Sequence, residues 1–241
     1  MLDQLEIIEL NDQLQDADPK EILNQLVALL PNTAISFSGA EDVLLIEFTQ
    51  NQTKPPEIFT LDTGRLHPET SRFIEEVKNH YGRSIEALLP NQEKVNILIN
   101  NKGLYSFYKD GHEECCNIRK VEPLRKKLKH LDAWVTGQRR DQSPARAAVP
   151  IIEIDQIFSS SEQQVIKINP LANWSSAKVW KTIRRLNVPY NKLHDRGFVS
   201  IGCEPCTKAI RPDQHEREGR WWWEEATIKE CGLHRDNTAD S

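Results

Sequence analysis

The chain has 241 residues, of which 38% are apolar and 28% charged, and it carries a formal net charge of −5. That length can bury one substantial core, and the composition is that of an ordinary globular protein, which excludes wholesale disorder. The acidic balance argues against general nucleic-acid binding, and no run approaches the roughly 18 apolar residues that a membrane span needs.

The opening "MLDQLEIIELNDQLQDADPKE" is acidic and amphipathic and has neither the basic nor the apolar region of a signal peptide, so a cytoplasmic protein is expected. In that compartment thiols stay reduced, and cysteines point to metal or catalysis more than to disulfides. Residues 1–50 hold ten acids against the single base Lys20, whereas residues 112–146 hold nine Lys or Arg against five acids. A local basic surplus in an acidic chain suggests a small anionic ligand. The alternative, a solvated helix face, is preferred for Arg125, Lys126, Lys127 and Lys129, which flank the inward positions Leu124, Leu128 and Leu131.

In chain order, "DADPKEILNQLVALL" predicts a helix with Asp18 as N-cap and Pro19 at its first position. "TAISFS" (33–38) reads as a strand. The apolar run Val43–Phe48 is ambiguous by pattern and is read as a helix, because "EIFTLDT" (57–63) supplies the next strand. "PETSRFIEEVKNHYG" predicts a helix ending at Gly82, and "SIEALLP" a strand. "VEPLRKKLKHL" predicts a helix feeding the strand "DAWVTG"; "VPIIEID" and "VIKINP" add two short strands, and "SSAKVWKTIRRLN" a helix capped by Ser175. Strands alternating with helices imply one α/β domain, a mostly parallel twisted sheet with helices on both faces. The domain is expected over residues 1–220, followed by a flexible tail, 221–241.

Three groups of residues carry chemistry. "ISFSGAEDV" ends a strand and opens a helix, presenting Ser36, Ser38 and backbone N–H groups to an anion; it is either a phosphate-facing loop or an ordinary strand-to-helix turn. It lacks the lysine of a P-loop. "LDTGRLHPET" follows the next strand, at the sheet edge where open α/β proteins bind ligands. Secondly, Cys115 and Cys116 are separated by 86 residues from Cys203 and Cys206 in a Cys-x-x-Cys pair. Four thiolates from two loops suit a tetrahedral zinc or an iron–sulfur cluster. Adjacent cysteines must bend both sulfurs back onto one zinc, whereas a cubane spreads its irons apart, which favours [4Fe–4S]. Lastly, Cys231 in "ECGLHRD" stands near His234 and Arg235, so it is either an activated nucleophile or an incidental surface cysteine. Arg139, Arg140, Arg146, Arg211, Arg217 and Arg220 offer forks for sulfate or phosphate. The run Trp221–Trp223 suggests core packing for at least one ring and a docking surface for any that faces solvent.

Taken together, "SFSGAED", "LDTGRLHPET", "ECCNIRK", "TGQRRDQS", "GCEPCT", "GRWWWE" and "ECGLH", in this order over residues 36–234, resemble the assimilatory sulfonucleotide reductases, in particular their iron–sulfur, thioredoxin-dependent adenylylsulfate (APS) branch. The resemblance implies a relative of the PP-loop (adenine nucleotide alpha hydrolase-like) fold. It implies Cys115, Cys116, Cys203 and Cys206 as ligands of a [4Fe–4S] cluster, with Lys120 linking cluster and substrate. Ser36, Ser38, Gly39, Ala40, Glu41 and Asp42 would face the phosphate; Leu61, Thr63 and Gly137 would surround the nucleoside; Arg146, Arg217 and Arg220 the sulfate end. Cys231 would be the nucleophile, forming an S-sulfocysteine. Ala40 and Val43 replace the Gly and Ser/Thr usual in PP-loop pyrophosphatases, which counts against ATP-driven adenylation. No second Cys-x-x-Cys follows Cys231, so the reductant is expected in trans, a thioredoxin or glutaredoxin. A homo-oligomer is compatible with this reading. The rival readings are a reductase of the 3′-phosphorylated substrate (PAPS), a PP-loop sulfur-transfer enzyme, and a non-enzymatic redox sensor.

Overall fold

Period-two alternation along each strand decides which layer its side chains join. In the computed structural model, which describes residues 2–224, six strands form one sheet in the order β3-β2-β1-β4-β6-β5. They are β1 (Thr33–Ser36), β2 (Glu57–Leu61), β3 (Glu86–Leu88), β4 (Ala133–Val135), β5 (Ile152–Ile154) and β6 (Ile166–Ile168). All pairings are parallel except that of β5 with β6. Ile35 and Phe37 of the β1 segment, Ile58 of β2 and Val135 of β4 belong to one apolar layer, whereas Ala34, Phe59 and Trp134 belong to the other. Burial on both faces is what a parallel sheet with crossover helices demands.

The first layer is closed by α1 (Gln4–Leu14), α2 (Pro19–Leu29), α3 (Ala40–Thr49), α4 (Pro68–Tyr81) and, late in the chain, α9 (Ser176–Leu186). Their ends are as the sequence predicts: Asp18 caps α2 with Pro19 behind it, Ser175 caps α9, and Gly82 ends α4 at φ +60°, where a side chain would be strained. Val43–Phe48 is helical. Two of the longer helices go beyond the sequence reading: α1, held by a capping box between Asp3 and Glu6, and α5 (Gln92–Lys102).

The second layer is closed by a continuous helical run with a change of winding in its middle. Two short helices, α6 (Phe107–Asp110) and α7 (Glu113–Cys116), precede a π-helical segment, Asn117–Val121, which passes directly into α8 (Glu122–Leu128). Leu124 and Leu128 pack against the sheet. Lys127, expected on a solvated face, is half-buried and bridges Glu57 and Glu86 on neighbouring strands, at 3.0 and 2.6 Å.

Strand order reverses between β1 and β4: β2 and β3 build outward on one side, β4, β6 and β5 on the other. At such a switch point the connections diverge to opposite faces and leave a crevice at the carboxyl ends of the strands. Among the described residues no helix is long and apolar enough to cross a membrane.

Candidate active site

The crevice is a pocket of about 170 Å³ at the carboxyl ends of β1, β2 and β4. It is lined by Ser36, Ser38, Gly39, Glu41 and Asp42 from β1 and the start of α3, Leu61 and Thr63 after β2, and Gly137 after β4. Lys120, Arg146, Arg217 and Arg220 complete the wall, so twelve residues singled out in the sequence, from Ser36 to Arg220, converge here. Ala40 continues the same loop as the first residue of α3.

The loop after β1 is organised by its own carboxylate. Asp42 accepts from the backbone N–H of Ser38 (2.7 Å) and Gly39 (2.8 Å), from the Ser38 hydroxyl (2.9 Å) and, through its other oxygen, from the N–H of Gly137 (3.0 Å). N–H groups that the sequence reading offers to a phosphate are thus bonded to Asp42 in this structure. Burial and repulsion from Glu41 push the Asp42 carboxyl up to about 6, against the pull of those hydrogen bonds.

Arg139 and Arg140, offered by the sequence as anion forks, are instead structural. Arg140 donates to Val149 O (2.8 Å) and Asn173 Oδ1 (2.6 Å), fixing the loop after β4. Arg139, only 1% exposed, is paired with Glu41 (3.0 Å), Glu216 (2.7 Å) and Asp141 (3.4 Å). Arg146 donates to Gln142 Oε1, and Gln142 donates to Glu41 (3.0 Å), extending the network. Arg211 lies outside the pocket wall, exposed beside Asp213.

A second, smaller cavity adjoins the pocket. It is lined by all four paired cysteines, Cys115, Cys116, Cys203 and Cys206, together with Arg65, Phe107, His112, Arg119 and Lys120. Lys120 and Cys203 belong to the walls of both spaces. The Cys-x-x-Cys loop is held against the residues after β2: Cys203 pairs with Leu66, Glu204 N–H donates to Arg65 O (2.8 Å), and Thr63 Oγ1 lies 3.2 Å from Cys203 Sγ. Burial raises the Cys203 thiol, but Lys120, the Thr63 hydroxyl and Arg220 outweigh it and leave the pKa below its ordinary value. Burial and the neighbouring Cys203 push Cys206 up to about 12, and burial also raises Cys115.

This cavity is suited to an anionic group. Arg119 spans to Thr63 O (2.6 Å), while its Nε and Arg65 Nη1 are buried without a hydrogen-bond partner. Cations so placed offset the charge that clustered thiolates carry. Among the described residues no three His, Cys, Asp or Glu side chains are grouped to hold a single metal ion.

The body extends past the expected boundary at residue 220. Trp221 is fully buried, its backbone N–H donates to Cys206 O (3.1 Å), and its ring stacks on His112 at 4.2 Å. Glu224 accepts from the backbone N–H of His112 (3.0 Å) and lies 2.6 Å from its Nδ1. Trp222 is 42% exposed and packs on Tyr108, itself at the surface. One tryptophan is therefore core and another faces solvent. Cys231 and the rest of the expected tail lie outside the described residues.

Residues 32–209 match the model of the phosphoadenosine phosphosulfate reductase domain. The chain belongs to the phosphoadenosine phosphosulfate reductase family. It is 54% identical over 230 residues to an adenosine 5′-phosphosulfate reductase of Pseudomonas aeruginosa (strain LESB58), covering 95% of this chain and 86% of that one. It is 49% identical over 250 residues to the chloroplastic 5′-adenylylsulfate reductase 1 of Arabidopsis thaliana, covering 99% of this chain but 54% of the longer plant protein. Among solved structures, a phosphoadenylyl-sulfate (PAPS) reductase from Candida auris, in a phosphate complex, superposes with a TM-score of 0.72 at 29% identity, covering 87% of this chain and 98% of that one.

Within this member of the phosphoadenosine phosphosulfate reductase family, the pocket wall includes residues that the sequence reading did not single out. Thr60, His194 and Glu216 line the pocket without belonging to any of the motifs quoted above, whereas Phe37 sits in "SFSGAED" and Thr136, Gln138 and Gln142 in "TGQRRDQS" without being singled out. Arg65 and Arg119 could have been found, since each sits inside a stretch already singled out, "LDTGRLHPET" and "ECCNIRK". Gly137 has a testable role. A Cβ there would lie 2.5 Å from Asp42 Oδ1 and 2.7 Å from Glu41 Cβ. Gly137→Ala is expected to destabilise the fold by about 1–3 kcal/mol, the usual cost of overpacking, and to abolish AMP binding. Denaturant melts and calorimetric titration with AMP check it; unchanged binding would show that the loop yields.

Proposed function

We propose that this chain reduces adenylylsulfate to sulfite and AMP, taking two electrons from a dithiol protein, thioredoxin or glutaredoxin, through an S-sulfocysteine on Cys231. The chain's membership of a reductase family and its identity to adenylylsulfate reductases support an oxidoreductase acting on sulfur. The observation that carries the reading is the joining of the two cavities. A pocket at the sheet's switch point, walled by Lys120, Arg146, Arg217 and Arg220, meets a cavity of four thiols through Lys120 and Cys203.

On this reading the nucleotide lies along the carboxyl ends of β1, β2 and β4, with its sulfate toward Lys120, Arg217 and Arg220. The Cys231 thiolate attacks the sulfate sulfur; an S–S bond forms, the bond from sulfur to the phosphate oxygen breaks, and AMP leaves with that electron pair. The basic side chains offset charge building on sulfate and on the departing phosphate. A thiolate of the dithiol donor then attacks Cys231 Sγ and releases sulfite, and its second thiol resolves the mixed disulfide. Sulfur falls from the +6 to the +4 state as the donor's two thiols become a disulfide.

Cys115, Cys116, Cys203 and Cys206 would hold the [4Fe–4S] cluster, for which the thiol set and the surrounding Arg65, Arg119 and Lys120 are suited. When bound, the cluster would polarise the adjoining pocket as a fixed anionic centre shared with Lys120. The same reading assigns the chain to the cytoplasm, where the thiols it needs stay reduced.

The test is intact-protein mass spectrometry of anaerobically purified holoprotein mixed with adenylylsulfate and no reductant. One added SO₃ group, mapped to Cys231 and removed by thioredoxin, is the expected result. No adduct would overturn the covalent route. A clear rate preference for PAPS would overturn the choice of substrate.

A further inference from the structure

A pocket read as receiving a doubly anionic linkage carries buried carboxylates on its own wall. Glu41, Asp42 and Glu216 all line it, against Lys120, Arg146, Arg217, Arg220 and His194. Glu41 is held in its charged form, whereas Asp42 is lifted to about 6 by burial and by Glu41 in spite of its hydrogen bonds. Burial raises Glu41, but Arg139 and Gln142 outweigh it and leave it below its ordinary pKa. Asp42 accepts four hydrogen bonds from N–H and O–H groups.

Glu216 is placed differently. Its side chain is 12% exposed, and both of its oxygens bond one nitrogen, Arg139 Nη2, at 2.7 and 2.9 Å. That nitrogen also serves Glu41 at 3.0 Å, and Asp141 lies 3.4 Å from Nη1 of the same guanidinium. One cation is thus divided among three carboxylates, and an incoming anion would add to the surplus on the negative side. The groups facing Glu216 are Glu41 from α3 and Arg139 and Asp141 from the loop after β4, with Arg217 next to it in its own segment.

We propose that Glu216 takes up a proton when the anionic nucleotide enters the pocket, so that substrate affinity is linked to pH through this one carboxyl. The proposal rests on the nucleotide reading above. Protonation leaves the Arg139 contact as a neutral hydrogen bond, frees more of that cation for Glu41, and removes one charge from the wall that the nucleotide approaches. Burial and repulsion from Glu41 already lift the Glu216 carboxyl to about 7, and a nearby anion lifts it further. The sign follows. Below this value Glu216 is protonated before the nucleotide arrives, and its contribution to affinity does not depend on pH. Above it each binding event must bring a proton, so affinity falls by up to about tenfold per pH unit.

The experiment is calorimetric titration of AMP into the full-chain holoprotein, wild type and Glu216→Gln, from pH 6 to 8.5, in buffers of different ionisation enthalpy. The phosphate of AMP titrates near pH ~6 in both, so its own protons cancel in the comparison. At pH 8 the variant is expected to bind about tenfold more tightly than wild type and to take up up to about one proton fewer; at pH 6 the two should agree. Parallel pH curves and equal proton counts, with AMP bound by both, would overturn the role of Glu216 and leave the nucleotide reading standing. No binding of AMP to either protein would overturn both. Should the variant not fold, wild type alone decides: no proton taken up on AMP binding at pH 8, where Asp42 and the AMP phosphate are both ionised, would overturn the proposal.

Discussion

Cys231→Ser is expected to lower sulfite release from adenylylsulfate by at least about 10⁴-fold, the scale of loss when a covalent nucleophile is removed. A serine hydroxyl is almost wholly un-ionised at neutral pH, and an oxygen adduct could not be opened by thiol–disulfide exchange. Both halves of the proposed cycle therefore fail together. Iron and sulfide content per chain and the visible absorption should match wild type, because the four cavity thiols are Cys115, Cys116, Cys203 and Cys206. Intact-mass measurement with adenylylsulfate should show no SO₃ adduct. Sulfite release within tenfold of wild type would sink the covalent route, and loss of iron with the substitution would move Cys231 into the cluster's own ligand set.

The second large effect is expected at Lys120. Its side chain is 92% removed from solvent, yet it lines the pocket and the cysteine cavity at once, with Nζ 5.7 Å from the centre of the Trp221 ring. An ammonium so placed draws Cys203 toward its thiolate form and faces the space assigned to the sulfate. Lys120→Ala is expected to cut kcat/KM by about 10²–10³-fold, comparable to loss of one donor that stabilises developing charge. Most of the loss should fall on kcat, because the arginines of the pocket wall still hold the ground state. Lys120→Arg should recover only part of it, since a planar fork does not replace a compact charge in a closed space. A fall confined to KM would show that Lys120 binds substrate without favouring the transition state.

What could be read from sequence followed from how local each determinant is. Asp18 before Pro19, Gly82 after an amphipathic run and Ser175 before another are signals contained within a few residues, and all three ends are found. Val43–Phe48 was decidable as a helix only because strands were needed on either side of it. The α5 helix escaped because its asparagine-rich stretch buries only Val95 and Leu98, too few positions to set a period. Likewise, the segment from Trp221 to Glu224 reads as the start of a tail, but its anchors are Cys206 and His112, which no local pattern announces. The ion network shows the limit most plainly. Arg139 meets Glu41 across 98 residues and Glu216 across 77, so only the folded sheet brings together the charges that govern the pocket.

The π-helical segment Asn117–Val121 bears on how this loop can vary. Between Glu113 and Leu128 a single run of helix has two targets. Its first half turns Cys115, Cys116, Arg119 and Lys120 toward the cysteine cavity, and its second half turns Leu124 and Leu128 toward the sheet. A wider turn between them acts as one extra residue, resetting the phase of the second half. Wound as uniform α-helix at its full length, the run would rotate one half by about 100° against its target. Either the cavity or the sheet contact would then be lost, although every side chain that forms it was still encoded. The wide turn already absorbs one residue, so a further one-residue insertion at an exposed position such as Asn117 should rotate one half off its target and do more harm than most substitutions there.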